Sequence, residues 1–187
     1  HDAPGTIETI SQQQNETVSQ RMIGEIVHKA LGWWQLPDRT PNFDAVIRHY
    51  AWELGIMNEK QHRYATDEAR KLLQRITQSE VYHWLEGAKQ IFREIPFIFR
   101  TDKRFIHGII DVLFQRDDGK WGVLDYKTSY VKEYQGHKTR NLVIEHARRY
   151  HLQIGVYAAA IQEQVGVIPE AHIYYIRYGE TVNVKAD

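Results

Sequence analysis

Residues 108–128 read GIIDVLFQRDDGKWGVLDYKT, and the fold turns on how this stretch pairs with itself. β-Branched and aromatic residues fill 105–114 and 121–124, and Asp118-Gly119 supplies the positive-φ residues of a short turn. Two apolar strands joined by a hairpin are predicted, with Asp111 on the first and Asp125 and Lys127 on the second. Side chains two apart on a strand share a face, so Asp125 and Lys127 point together and Tyr126 points the other way. A bulge or modest stagger in the pairing would bring Asp111 beside Asp125. Two carboxylates and an ammonium at the end of an apolar hairpin are costly to desolvate unless something uses them.

Their chemistry suggests a use. Converging carboxylates make a hard oxygen site for Mg²⁺, which is usually held by one or two carboxylates together with waters and substrate phosphate. An adjacent lysine can position a water or neutralise charge developing on phosphate. A D-x-K triplet alone also describes a surface hairpin with one ion pair. The longer string is more specific: Gly-x-x-Asp in an apolar strand, an Asp-Gly turn, then an apolar strand ending Asp-Tyr-Lys-Thr.

Outward from the hairpin, 90–100 predicts a strand carrying Glu94 beside Pro96, and a turn at 101–103 links the two. Further upstream, 16–36 predicts an amphipathic helix: Val18, Met22, Ile26 and Ala30 recur every fourth residue, with Ile23, Val27 and Leu31 beside them. Gly24 and His28 lie on it. The two prolines in 36–41 end it, and 42–54 predicts a second helix stopped by Gly55. Thr66 followed by Asp67-Glu68 predicts the cap of a third helix reaching Thr77, and 79–86 a fourth. The aromatics of this half (Trp33, Trp34, Tyr50, Trp52, Tyr64, Tyr82, Trp84) are expected in packing between helices.

Downstream, 129–144 is polar, carries Lys132, Lys138 and Arg140, and predicts a loop, either solvated or touching phosphate. Residues 145–164, ended by Gly166, predict the clearest helix, with Leu152, Val156, Ala159 and Ala160 on its apolar side. Gln153 and Tyr157 are one turn apart on a neighbouring face, with Arg149 a turn before. Residues 172–178 predict the last strand, and 1–15, polar and Gln-rich, a frayed lead-in.

The 187 residues suit one domain with a full core. With 24 basic and 24 acidic residues the chain is no polycation, so nucleic-acid binding would need a local patch. The absence of cysteine excludes disulfides and a cysteine-ligated iron–sulfur cluster. No apolar run approaches the roughly 18 residues of a membrane span, and no signal-peptide pattern opens the chain, so a cytoplasmic protein without membrane contact is expected. Opening at His1 rather than Met suggests an excised fragment.

At Gly108–Asp111 and Asp125–Thr128 the sequence resembles the PD-(D/E)xK nucleases, most closely the RecB-like branch that contains the nuclease domains of RecB and AddA. Ile110 replaces the proline of the superfamily name, as is usual in that branch. The resemblance extends to Gly24-x-x-x-His28, to Glu94 in an E-x-P-F segment and to Gln153-x-x-x-Tyr157, in the same order along the chain. It implies an α/β (α+β) restriction-endonuclease-like core: a central mixed sheet flanked by helices, with extra N-terminal helices. The chain divides as a single nuclease domain over 1–187, with a helical portion at 16–88 bearing His28 and an αβ core at 89–187. The implied activity is Mg²⁺- or Mn²⁺-dependent hydrolysis of DNA phosphodiesters, exonucleolytic in preference to endonucleolytic, without an iron–sulfur cluster. Asp111 and Asp125 would hold the metal with His28 and the backbone carbonyl of Tyr126, while Lys127 acts on water or phosphate. Gln153 and Tyr157, with Glu94 and Arg149 as further candidates, would contact substrate. The resemblance also implies a helicase region in the same polypeptide or in a partner protein, and a role in double-strand break repair and recombination. A stand-alone phage-type exonuclease, a restriction-like endonuclease and a catalytically inactive DNA-binding module remain open.

Overall fold

The structure, a computed structural model, describes residues 18–101, 105–131 and 139–184. Four helices come first: α1 (Gln20–Gly32), α2 (Phe43–Glu53), α3 (Glu59–Thr77) and α4 (Glu80–Glu86). Three strands follow, β1 (Gln90–Arg100), β2 (Phe105–Gln115) and β3 (Trp121–Lys127). Then come α5 (Thr139–Ala147), a 3-10 turn (Arg148–Tyr150), α6 (His151–Val165), β4 (Glu170–Tyr175) and β5 (Glu180–Val184). The strands form one mixed sheet in sequence order, parallel between β3 and β4 and antiparallel elsewhere. The expected α/β architecture, a mixed sheet flanked by helices with additional helices at the N-terminal end, is what the chain adopts.

The sheet separates two cores. Ile23, Ile26, Val27 and Ala30 of α1 join Leu72, Leu73 and Ile76 of α3 against Val112, Phe114, Leu124 and Tyr126. On the other face Ile154, Tyr157, Ala160 and Ile161 of α6 pack on Phe97, Ile110, Val123, Ile173 and Tyr175. Residues of β3 thus alternate strictly: Leu124 and Tyr126 face α1, while Val123 and Asp125 face α6. Each fully buried aliphatic side chain in such a core contributes about 1.5–3 kcal/mol, so the alternation fixes the hairpin's register firmly.

The predicted hairpin forms, its turn closed by Arg116 N–H to the Lys120 carbonyl (2.9 Å) and Gly119 N–H to the Arg116 carbonyl (3.0 Å), with Gly119 at φ +84°. Val112 pairs with Leu124 in a ladder running without interruption to Gln115 and Trp121, so the same register sets Asp111 opposite Asp125 and no bulge or stagger is needed there.

Several expectations change. The third helix begins at Asn58, whose side chain accepts from Gln61 N–H, and not at Thr66. Thr66 lies inside the helix and returns its hydroxyl to the Arg63 carbonyl at 2.9 Å. Both residues are good caps; the apolar face of Ala65, Ala69, Leu72 and Ile76 extends back past Thr66 and decides between them. The helix expected over 145–164 breaks into two at Arg148–Tyr150, and its first part reaches back to Thr139, into the expected loop. Most of the rest of that loop, with Lys132 and Lys138, lies outside the described residues, as do the lead-in at 1–15 and most of the turn at 101–103. Leu152 is 77% exposed, on the opposite side of α6 from its core, and Trp33, Trp52 and Tyr64 are also exposed. The expected final strand ends at Tyr175, and the chain turns at Gly179 (φ +65°) into β5, a further edge strand beyond the expected set.

Candidate metal centre

The site lies where the sheet opens. The β2–β3 ladder stops at Val112 and Leu124, and the β1–β2 ladder omits the rung between Glu94 and Asp111. Glu94 sits there at φ +52°, a conformation that costs a residue with a Cβ and turns its strand. Beyond it, Ile95, Phe97, Ile106 and Ile110 face α6, whereas Ile91, Val112 and Phe114 face the helical layer. The β1–β2 pair therefore rolls over at this rung. Freed from the sheet, Asp111 turns sideways and its Oδ2 accepts the Tyr126 N–H at 2.7 Å, replacing the lost ladder bond. The N–H and carbonyl of one strand residue share an edge. The Tyr126 carbonyl accordingly faces the same opening, while the Lys127 carbonyl, on the other edge, accepts from Ile176 N–H at 3.0 Å.

Helix α1 lies over this gap along one stripe of residues four apart. A Cβ at Gly24 would stand 2.7 Å from Thr128 Oγ1, and one at Gly32 only 2.8 Å from Glu94 Cγ. Two missing Cβ atoms let the helix settle close enough for His28, midway between them, to reach the site. Its Nδ1 stands 3.5 Å from Asp111 Oδ1. His28, Glu94 and Asp111 each offer a ligand atom within 4.8 Å of the others, the one such group among the described residues. Glu94, a further candidate for substrate contact from the sequence, stands with His28 and Asp111 in this group.

Asp125 occupies the α6 side of the same opening and is only 2% exposed. Gln153 Nε2 donates to its Oδ1 at 3.1 Å and also to the Tyr157 hydroxyl, which donates in turn to the Ile109 carbonyl at 3.1 Å. Burial pushes the Tyr157 phenol up to about 12, so it keeps the proton it donates. The other oxygen, Oδ2, lies 2.7 Å from Lys127 Nζ in an ion pair. Arg149 stands in the 3-10 turn and lines, with Gln153, Tyr157, Phe97, Phe105 and Leu152, a groove of about 640 Å³ beside the site. Tyr150, unremarked in the sequence although it stands nearly one helical turn before Gln153, brings its ring to 4.1 Å from Lys127 Nζ.

The electrostatics are those of a site short of positive charge. Burial raises the Asp125 carboxyl above its ordinary range, against the pull of Lys127, and the charge of Asp111 adds to the rise. Burial and then Asp111 raise Glu94 as well. Burial pulls His28 down, but Asp111 and Asp125 outweigh it and hold the imidazole above its usual value. Oxygen donors with one imidazole and no thiolate suit a hard or borderline divalent cation, which would relieve the crowding of carboxylates.

The sequence and the fold are similar to those of known proteins. The sequence model of the PD-(D/E)XK nuclease superfamily matches residues 5–185. The chain is 34% identical over 103 residues to an ATP-dependent helicase/nuclease protein of Lysinibacillus sphaericus, a match covering 52% of this chain and 8% of that protein. It is 33% identical over 100 residues to the protein of the same name from Clostridium novyi, covering 53% and 7%. The chain thus spans less than a tenth of the length of these relatives. A putative exonuclease from Eubacterium rectale shares the fold with a TM-score of 0.59 at 12% identity, over 96% of this chain and 64% of that one. With the family's model matched over nearly its whole length, this chain belongs to the PD-(D/E)XK nuclease superfamily.

Proposed function

We propose that the chain is a divalent-metal-dependent deoxyribonuclease, a single nuclease unit across 1–187 that hydrolyses DNA phosphodiesters. The observation that carries this reading is the gathering of His28, Glu94 and Asp111 within 4.8 Å at the opening of the sheet, across from Asp125 and Lys127. His28, Asp111, Asp125 and the Tyr126 carbonyl would hold Mg²⁺ or Mn²⁺, with Glu94 at the outer side. The bound ion would supply Lewis acidity toward a phosphate oxygen and lower the pKa of water.

The chain's own residues account for the rest. The Tyr126 N–H fixes Asp111, and Gln153, braced by Tyr157, fixes Asp125, so neither carboxylate has to be ordered when substrate arrives. Lys127 brings a positive charge to where the phosphate would build up negative charge. Arg149 and the adjoining groove offer a path for the DNA backbone. Likeness to ATP-dependent helicase/nuclease proteins supports a place as the nuclease portion of a larger helicase–nuclease; the resemblance read in the sequence extends this to exonucleolytic processing of DNA ends in double-strand break repair, in the cytoplasm. The helicase would then lie elsewhere in that polypeptide or in a partner.

The test is incubation with end-labelled linear and with circular DNA, single- and double-stranded, in Mg²⁺, Mn²⁺ or EDTA. Cleavage in either metal, stopped by EDTA and restricted to linear substrates, is expected. No cleavage, or cleavage indifferent to EDTA, overturns the proposal; cleavage of circles overturns only its exonuclease part.

A further inference from the structure

Lys127 faces a conflict within its own site. Its ammonium lies 2.7 Å from Asp125 Oδ2, while Gln153 occupies Oδ1. If Asp125 gives Oδ2 to a cation, the ammonium loses its counter-ion and gains a like charge as neighbour. A second carboxylate there would compete for the metal and quench the positive charge that the reaction needs. An aromatic face does neither: it attracts a cation through its quadrupole and stays neutral.

Tyr150 supplies that face. Its ring centroid is 4.1 Å from Lys127 Nζ, within the range of a cation–π contact. Neighbouring side chains support the ring. His146 lies against it with centroids 5.5 Å apart, and His146 Nδ1 is hydrogen-bonded to the hydroxyl of fully buried Tyr175 at 2.9 Å. Tyr150 packs on the α6 core. It ends the 3-10 turn that interrupts what would otherwise be one long helix. That interruption sets the ring over the lysine.

We infer that Tyr150 is the positioning residue of Lys127, its ring face holding the ammonium beside the scissile phosphate when Asp125 is engaged by a cation. The inference rests on the nuclease reading above and concerns how Lys127 is kept in place once metal binds.

Two readouts separate it from a purely structural role. In protein labelled with ¹³C-lysine, with Lys127 assigned by K127R, the Lys127 ε-methylene signals are shifted upfield by the ring current, both metal-free and in saturating Mg²⁺. Y150L abolishes that shift, while Y150F and Y150W, which keep an aromatic face, restore it. Turnover follows the same order: Y150L lowers kcat about tenfold to thirtyfold with KM and Mg²⁺ affinity little changed, and Y150F recovers most of the loss. A Lys127 signal at its ordinary position in Mg²⁺, or a Y150F as defective as Y150L by both readouts, overturns the inference. A wild-type protein that shows the shift but cuts no DNA overturns the nuclease reading and supports the ammonium–ring contact.

Discussion

Asp125→Asn isolates the cost of the site in the metal-free protein. Asp125 is 2% exposed, and burial raises its carboxyl from 3.8 to about 6. The raised value means that the folded state holds a proton the unfolded state has released. Stability from this group is complete below the unfolded pKa and is lost as pH rises through the folded one. The shift of about two units corresponds to about 3 kcal/mol in all, of which about half falls between pH 5 and pH 8. His28 and Glu94 are raised as well and push in the same direction. The asparagine has no proton to lose. Urea unfolding in EDTA, measured from pH 5 to pH 8, should show wild-type stability falling relative to D125N by about 1–2 kcal/mol. At pH 8, adding Mg²⁺ should restore the wild type and leave D125N nearly unchanged. Curves for the two proteins that stay parallel across this range would refute the assignment of Asp125 as a desolvated carboxylate waiting for a cation.

The remaining expectations touch other parts of the site and its support. Asp111→Ala should abolish metal-dependent cleavage and also cost about 1–3 kcal/mol, because the Tyr126 N–H loses its acceptor; cleavage assays and unfolding midpoints check the two effects separately. Lys127→Ala should lower turnover by about 10²–10³ while calorimetry finds metal affinity kept; a collapse in affinity would make the lysine structural. His28→Ala should weaken metal binding, with excess Mn²⁺ rescuing cleavage better than excess Mg²⁺, since imidazole suits Mn²⁺ better. Gly122→Ala should destabilise by about 1–3 kcal/mol, since its Cβ would overlap the ring of fully buried Phe114, and F114L in the same chain should recover part of the loss by unfolding midpoint.

The hairpin was legible because every local signal there agrees: two runs of β-branched and aromatic residues with an Asp-Gly turn between them. The roll of the β1–β2 pair was not, because it depends on Glu94 holding φ +52°, which no propensity marks and which only the competing demands of two cores impose. The early start of α3 failed for a different reason. Asn58 and Thr66 are both good caps, and the choice is made by tertiary burial of the intervening turn. Leu152 misled because an amphipathic pattern identifies an apolar stripe without saying whether the core or a groove receives it; here it lines the groove. β5 is short and half-polar, and its pairing with β4 is a long-range gain that the local sequence does not announce.

The spacing on α1 shows why the His28 motif carries more information than its single histidine. Gly24, His28 and Gly32 stand on one stripe of the helix, against Thr128, Asp111 and Glu94 respectively. Each glycine weakens an isolated helix by about 0.5–1 kcal/mol relative to alanine, so two of them are a local penalty with no local reason. The compensation lies across the gap: without the glycines, α1 would be held off the sheet by contacts of 2.7 and 2.8 Å, and the imidazole would be carried away from Asp111. The same stripe explains why Glu94 joins the metal-ligating group, since its side chain lies over Gly32 in space that any Cβ would take. A helix whose small residues bracket a histidine at four-residue spacing is therefore readable as a helix meant to approach something closely. What it approaches here is the rung at which the β1–β2 and β2–β3 ladders are both unpaired.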